Sequence, residues 1–308
     1  YMKANFPAIY MSSVLTAESG DVEKIAEIIG ECKRMKIPIL PPDINESFSQ
    51  FTVIKGRSKD VSSFLFDRIR FGLVTIKNFG QGISTAIIEE RKKNGKYKSL
   101  SDFLDRVKDK NLNKKSLEAL IKVGALDTFE IDRGVLLGNI ETLLAYNKEK
   151  EKQADNQDSL FGLMSDTSSI PKLKLVEVPN AEMKDKLAWE KELLGLYISG
   201  HPLDRYREII AKREMDIKKA KETLKNGTEI TIACIVEEVR PIITKKGEQM
   251  AFVRIADFSG TLEAVVFPRT LVEFRSAFMP DKCIAIKGKM SERNGQKSVI
   301  IEKVKVLG

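Results

Sequence analysis

The sequence predicts a multidomain α+β protein whose first part is helical and whose last part is a small β-barrel. Apolar residues near the start follow helical spacing, for example Val22, Ile25 and Ile29. Two glycine turns, each beside an amphipathic helix, lie between residues 76 and 126. After Gly227 apolar and polar residues alternate, which is typical of strands. The length of 308 residues also favours about two domains.

The composition is that of a globular protein with a basic surface. Hydrophobic residues make up 42% of the chain, and the formal net charge is +8. A positive charge favours polyanion partners, nucleic acid first, although charge alone is weak evidence. Cys32, Cys234 and Cys283 are far apart and show no metal-binding or redox spacing. We therefore expect a reduced, cytoplasmic protein, and no apolar run is long enough to predict a membrane span.

Residues 1–75 are predicted to form helices followed by short strands. Residues 1–37 show helical periodicity, which ends at the prolines of "PILPPDINES". The runs "FSQFTVIKG" and "RIRFGLVTIK" are rich in β-branched and aromatic residues, and could pair as a small sheet or hairpin. Because the first residues contain neither an initiator Met nor a helix-cap signal, we expect the chain to be a piece of a longer protein.

The first glycine turn, "IKNFGQGIS", leads directly into a predicted helix. Such a turn leaves backbone N–H groups unpaired, and the helix dipole adds positive partial charge. A phosphate can dock there without reading the base, so binding would be independent of sequence. The residues expected to contact a duplex backbone here are Lys77, Asn78, Gly80 and Gly82. Basic residues that follow would supply countercharge: Arg91, Lys92, Lys93, Lys96 and Lys98.

The second glycine turn, "IKVGALD", offers a similar site at Lys122 and Gly124, with Lys114 and Lys115 nearby. Together the two turns predict a tandem helix-hairpin-helix module over residues 76–155. The alternative is a pair of ordinary helix–turn–helix connections with solvated lysines, since a Gly-x-Gly pattern is weak by itself.

Residues 227–308 are predicted to form an OB fold. Three strands, one short helix and two further strands occur in the order of a five-stranded OB barrel. In the second strand, Val253 and Ile255 would face the core, and Phe252 and Arg254 would face outward. An aromatic residue beside an arginine is a plausible platform for stacking bases.

The loops of this barrel add basic residues to the predicted single-strand site. Lys245 and Lys246 are predicted in the first hairpin loop, and Arg293 in the last one. OB domains use these two loops to hold single strands. The alternative is a barrel that makes only protein contacts, with Phe252 covered by a neighbour.

We find no catalytic residue and no metal site in the sequence. His201 is the only histidine and has no nucleophile or second base beside it, so a structural role in a turn is expected. Asp43 and Glu46 do not belong to a carboxylate cluster of the kind that two-metal chemistry requires.

Residues 156–182 read as a linker, and residues 183–226 as a helical connector to the barrel. Within the linker, "NQDSLFGLMSD" places four large apolar side chains in a polar run. These flanks do not predict a local core that could bury them.

Six stretches resemble, in order, the alpha subunit of bacterial replicative DNA polymerase III, a C-family polymerase. They are "YMKANFPAIYMSSVLT", "ILPPDINES", "IRFGLVTIKNFGQGI", "SLSDFLDRV", "KKSLEALIKVGALD" and "WEKELLGLYISGHPLD". The resemblance covers essentially the whole chain and implies a C-terminal portion of that subunit. Residues 1–75 would end the fingers region, the tandem module would hold primed double-stranded DNA in a clamp-binding domain, and the OB fold would lie near the single-stranded template.

The resemblance also implies a sliding-clamp motif, Gln-x-x-Leu-Phe, at Gln157, Leu160 and Phe161. Leu160 and Phe161 would fill an apolar pocket of the beta clamp, a burial worth roughly 3–6 kcal/mol before ordering costs. The alternative is that both side chains pack on their own domain.

The family's catalytic aspartates belong to a palm domain that should lie upstream, so the fragment alone is expected to be inactive. No cofactor is expected in it, although magnesium ions are expected in the intact polymerase, and further replisome subunits are possible partners. One alternative is a stand-alone helix-hairpin-helix and OB adaptor in repair or recombination. A weaker one is a tRNA-binding OB protein of the synthetase type.

Overall fold

The computed structural model describes residues 1–19, 21–56, 67–157, 173–212, 215–244, 246–293 and 295–307. The chain divides into two compact units, which we describe separately. Unit 1 comprises Tyr1–Ser199, and unit 2 comprises Gly200–Gly308.

Unit 1 begins with helices and a small sheet. The elements are α1 (Met2–Asn5), α2 (Pro7–Ala17), α3 (Val22–Arg34), β1 (Ile39–Leu40), β2 (Thr52–Ile54) and β3 (Arg68–Arg70). The central strand β3 pairs antiparallel with β2, as the two β-prone runs predicted, and parallel with β1. Strand β1, inside the proline-rich segment, is the element that the sequence did not indicate.

The rest of unit 1 is helical. Its helices are α4 (Gln81–Asn94), α5 (Leu100–Arg106), α6 (Lys114–Lys122), α7 (Arg133–Gly138), α8 (Ile140–Gln157) and α9 (Met183–Leu194), with a 3-10 turn at Asp127–Phe129. Local signals explain two helix starts. The Ser99 side chain accepts the N–H of Asp102, and Asn113 forms a capping box with Ser116.

One hydrophobic core joins both parts of unit 1. Buried side chains from α2, the sheet and the later helices belong to the same cluster, for example Leu15, Ile69, Ile87, Leu120 and Leu193. The division predicted at residue 75 therefore does not coincide with a gap in the core, and the domain limits within unit 1 stay a prediction.

Unit 2 is a closed five-stranded barrel with the predicted OB order. It contains α10 (Arg207–Ala211), α11 (Ile217–Thr223), β4 (Glu229–Ile243), β5 (Gln249–Ala256), β6 (Thr261–Val266), α12 (Pro268–Glu273), β7 (Cys283–Arg293) and β8 (Gln296–Val306). The strands close in the order β4-β5-β6-β8-β7, and β6 runs parallel to β8. The predicted orientation in β5 is confirmed, because Val253 and Ile255 are fully buried whereas Phe252 and Arg254 are half-buried.

Two features are absent from the described part of the chain. Within the described ranges, every helix is too short or too polar to cross a lipid bilayer. Across the same ranges, no group of three or more His, Cys, Asp or Glu side chains is arranged to hold a metal ion.

Candidate nucleic-acid interface

The first hairpin, residues 76–82, leads the chain into α4. Asn78 takes the left-handed conformation, with φ of +68°, which asparagine tolerates better than most residues. Gly80 is the N-cap of α4 and is extended, with φ −82° and ψ 158°. A Cβ added at Gly80 would meet no atom within 4 Å. Asn78 is thus the left-handed residue of this glycine-rich turn. The missing side chain of Gly80 leaves the backbone beside it uncovered.

The first hairpin exposes unpaired backbone donors. No side chain caps α4, and the first bond back to the N-cap is from Ser84 N–H to the Gly80 carbonyl, at 3.2 Å. The N–H groups of Gly80, Gln81 and Gly82, all exposed, have no acceptor among the described residues. Together with the positive end of a 14-residue helix, they form an arrangement that attracts an anion.

Lys77 and the backbone beside it complete this site. The Lys77 side chain is exposed, one residue before the left-handed turn. Its N–H donates to the carbonyl of Leu193 at 3.0 Å, which fixes the turn to the end of α9. The first hairpin is therefore anchored to α9 through the Lys77 backbone, while the Lys77 side chain and the unpaired amides remain exposed to solvent.

Arg91, predicted as countercharge, has a different role. Only 8% of its surface is exposed, and its guanidinium donates to the carbonyls of Ile44 and Ser47 at 2.7 Å each. This burial lowers the pKa of Arg91 from its ordinary value. The prediction for Arg91 was wrong because its partners are 47 and 44 residues away in sequence.

The remaining predicted countercharges stay at the surface. Lys92 contacts Glu89 at 2.8 Å, and Lys96 lies 3.7 Å from Glu46. Lys93 and Lys98 are exposed. These lysines are therefore accessible to a polyanion, and their role as countercharge stays a prediction.

The segment "PPDINES" holds the two hairpins in place. Ile44 N–H donates to the carbonyl of Ala125 in the second hairpin, at 2.8 Å. Asn45 makes two bonds with the backbone of Tyr97, of 2.9 and 2.7 Å. Arg91 attaches the same segment to α4. The segment is thus a scaffold, and Asp43 and Glu46 belong to it.

The second hairpin, residues 121–127, satisfies its own backbone. Gly124 is left-handed, with φ of +77°. Its N–H donates to the Ile121 carbonyl at 3.0 Å, and Ala125 N–H donates to the Leu120 carbonyl at 2.9 Å. These bonds are those of an ordinary helix C-terminus, so these amides are already occupied.

Arg133 also fills the space beside Gly124 in the second hairpin. A Cβ at Gly124 would overlap the Arg133 guanidinium. That guanidinium, 4% exposed, contacts Asp127 at 2.7 Å and the fully buried Glu190 at 3.0 Å. Burial alone would lower the pKa of Arg133, but the bonds to the two carboxylates outweigh it and raise the pKa. Gly124 therefore presents no open backbone, and direct contacts by Lys122 and Gly124 stay a prediction that this geometry disfavours.

Glu190, on α9, is the second carboxylate that binds Arg133. Its Oε2 accepts the N–H groups of Ile198 and Ser199 at 2.9 Å each, and its Oε1 accepts the Ser199 hydroxyl. Neither Arg133 nor Glu190 is predicted as a site residue from the sequence. A signal existed, because Glu190 lies on the same helical face as the buried Leu187 and Leu194, where a charge requires a buried partner.

On the barrel, the predicted stacking platform is partly neutralised. Arg254 stands between Glu238 and Glu263 in the strand register, and its Nε lies 3.3 Å from Glu237 Oε2. Phe252 stands between Arg240 and Val265. Phe252 thus keeps an outward, half-buried ring, whereas Arg254 is surrounded by carboxylates.

The other predicted residues are placed as follows. Lys246 and Arg293 are exposed at the two predicted loops, and Lys245 lies outside the described residues. Gln157 is the last residue of α8, and Leu160 and Phe161 lie outside the described residues, so the clamp motif stays a prediction. His201 accepts Leu203 N–H at its Nδ1, 3.1 Å away, which is the geometry of a turn residue.

Comparisons with known proteins agree with this architecture. The family described as helix-hairpin-helix motif matches residues 36–136, and the family described as OB-fold nucleic acid binding domain matches residues 230–307. The DNA polymerase III subunit alpha of Borreliella burgdorferi is 34% identical over 307 residues, 99% of this chain and 26% of that protein. The subunit of Aquifex aeolicus is 37% identical, covering 95% and 22%, and that of Thermus aquaticus is 37% identical, covering 87% and 21%.

The chain therefore spans about a quarter of the length of these relatives. It matches them across both of its units, and the two matched families point to DNA binding. This chain belongs to the family of bacterial DNA polymerase III alpha subunits and corresponds to the portion of them that contains the helix-hairpin-helix and OB regions.

Proposed function

We propose that this chain holds DNA and tethers a replicative polymerase to its sliding clamp. The observation that carries the DNA-holding part is the row of unpaired N–H groups at Gly80, Gln81 and Gly82, beside the exposed Lys77. The same proposal assigns DNA synthesis, and the magnesium ions it needs, to portions of the longer relatives outside this chain.

In this proposal a duplex phosphate oxygen accepts hydrogen bonds from the first-turn amides of α4. Lys77 adds a charge contact, and no side chain at the turn reaches a base edge. Backbone contacts of this kind position a duplex without carrying sequence information. The polymerase needs that property because it must slide over every template sequence.

A Leu at Gly80 tests this docking directly. The site is extended and open, so the side chain fits without strain, but it would stand where the phosphate docks. Duplex affinity, measured by fluorescence anisotropy, should fall about tenfold, as expected for the loss of one charge-assisted hydrogen bond, and equally for several unrelated sequences. Gly30→Leu is the matched control, because Gly30 also has open space around its missing Cβ. Unchanged binding by Gly80→Leu, or a loss confined to one sequence, would contradict the docking.

The tethering part is supported by the apolar run at Leu160 and Phe161 within polar flanks. Both side chains would enter an apolar pocket on the clamp, and Gln157 would bond in a polar subsite. Because any peptide segment loses conformational entropy when it is ordered on a partner, the affinity of this motif alone should be modest. Such a contact can release and rebind during synthesis.

The double substitution Leu160→Ala and Phe161→Ala tests the tether. Removing two buried side chains should weaken binding to the beta clamp by at least 100-fold, since each is worth about 1.5–3 kcal/mol. Duplex affinity should not change, which serves as the internal control. Clamp binding that survives the double substitution in surface plasmon resonance would refute the motif.

A further inference from the structure

The outer surface of the barrel carries an uneven distribution of charge. Four lysines point outward from the neighbouring strands β7 and β8, and we call them the lysine face: Lys287, Lys289, Lys303 and Lys305. Their nearest carboxylates are Glu229, 3.0 Å from Lys287, and Glu302, 3.2 Å from Lys289. Lys303 and Lys305 form no ion pair within the described part of the chain.

The lysine face includes a repulsive pair. Lys287 and Lys303 stand directly opposite each other across the β7–β8 ladder. Like charges at such positions destabilise a sheet. Lys287 is partly compensated by Glu229, but Lys303 is not. An anionic partner at this face would remove that repulsion.

The adjoining strands β5 and β6 differ in charge from the lysine face. On β5 and β6, Arg254 faces Glu238 and Glu263 in the register and contacts Glu237. The predicted stacking platform at Phe252 and Arg254 therefore has carboxylates where phosphates would have to lie. The lysine face, by contrast, includes two lysines, Lys303 and Lys305, that form no ion pair among the described residues.

A continuous row of outward-facing side chains runs from β7 across β8 and β6 to β5. In the strand register Lys289 pairs with Ile300, Ile300 with Val265, and Val265 with Phe252. The last three side chains are half-buried and apolar. Apolar and aromatic side chains next to cations suit a strand whose bases are unpaired and whose backbone is charged.

The spacing and relief of the lysine face also suit a single strand. Lysines two residues apart on one strand are about 6.6–6.8 Å apart, and opposite ones on neighbouring strands are about 5 Å apart at Cβ. The short side chains of Ala285 and Thr231 lie between and beside them in the register. The lysine face is thus two strands wide, with small side chains at the register positions beside its cations.

We propose that the lysine face binds the sugar–phosphate backbone of single-stranded nucleic acid, with the bases lying toward Ile300, Val265 and Phe252. This inference rests on the proposed DNA-binding function and moves its single-strand site from the Phe252–Arg254 platform to β7 and β8. Lys303 and Lys305 are its strongest contacts, because no carboxylate competes for them.

The test compares two charge reversals in the whole 308-residue chain. Lys303→Glu with Lys305→Glu alters the lysine face. Lys218→Glu with Lys221→Glu makes the same change of charge on two exposed residues of α11. Binding to an oligodeoxythymidine and to a duplex is measured over a range of salt concentrations. Circular dichroism confirms folding, and the milder pair Lys303→Gln with Lys305→Gln replaces the reversal if folding is impaired.

The lysine-face reversal should weaken oligodeoxythymidine binding at least tenfold more than the control does. The slope of log affinity against log salt should fall by about 1.4, since each single-strand phosphate contributes about 0.7. Duplex binding through the first hairpin should persist. Equal losses in both variants, a wild-type chain that binds duplex but not oligodeoxythymidine, or equally strong binding of poly-glutamate would overturn the lysine face alone. A wild-type chain that binds neither DNA would overturn the proposed function as well.

Discussion

The two glycine hairpins of unit 1 look alike in sequence but present their backbones in opposite ways. The first, at residues 76–82, leaves the N–H groups of Gly80, Gln81 and Gly82 without acceptors. The second, at residues 121–127, uses its N–H groups internally and is covered by Arg133. A glycine turn beside a helix therefore does not by itself form an anion site. Its ability to bind an anion depends on whether its backbone N–H groups already have acceptors within the protein.

The difference follows from which end of a helix each hairpin adjoins. The first hairpin precedes α4, where the initial N–H groups of a helix have no intrahelical acceptor. The second follows α6, where carbonyls are in excess and a left-handed glycine ends the helix. The Arg133 guanidinium then donates to the carbonyl of Lys122, at 3.1 Å, near that helix end. One hairpin is thus open to an anion, and the other is completed by an internal cation.

The largest expected effect is on the second hairpin. Arg133→Ala would leave the fully buried Glu190 without its cation, and breaking a buried ion pair costs about 3–5 kcal/mol. The free energy of unfolding, from urea titration, should fall by that amount. Lys114→Ala removes a lysine from the exposed pair with Glu141 and should cause no measurable change. Equal stability of the two variants would mean that the second hairpin is not held by Arg133.

A smaller effect compares the two glycines directly. Gly124→Ala places a Cβ at positive φ and against Arg133, and should cost about 1–3 kcal/mol. Gly80→Ala places a Cβ in open space at an extended backbone, and should be nearly neutral. Thermal unfolding of both variants measures the contrast. Similar melting temperatures would remove the structural distinction between the hairpins.

Much of the fold could be predicted because its signals are local. The alternation around Val253 and Ile255 and the order of strands define the barrel. The cap residues Ser99 and Asn113 mark helix starts. Each of these signals acts over a few residues of sequence, so the sequence alone carries it.

The candidate site was predicted less completely because its decisive contacts are distant in sequence. Arg91 meets Ile44 across 47 residues, and Arg133 meets Glu190 across 57. Both arginines look like solvated charges in the sequence, and both are buried in the structure. The left-handed residue of the first turn was also unforeseen, since Asn78 takes it beside two glycines that do not.

The central claim, that a DNA backbone docks on the free amides of the first hairpin, is tested most directly at Gln81. Proline there removes one N–H but keeps the helix, because Gln81 is the first residue of α4 and Gly80 is already extended. Gln81→Ala is the control, since it removes the side chain and keeps the N–H. Duplex affinity should fall roughly tenfold or more for Gln81→Pro, as one charge-assisted hydrogen bond is worth about 1.5–3 kcal/mol, and should be unchanged for Gln81→Ala. Equal affinities of the two folded variants would contradict docking on these amides.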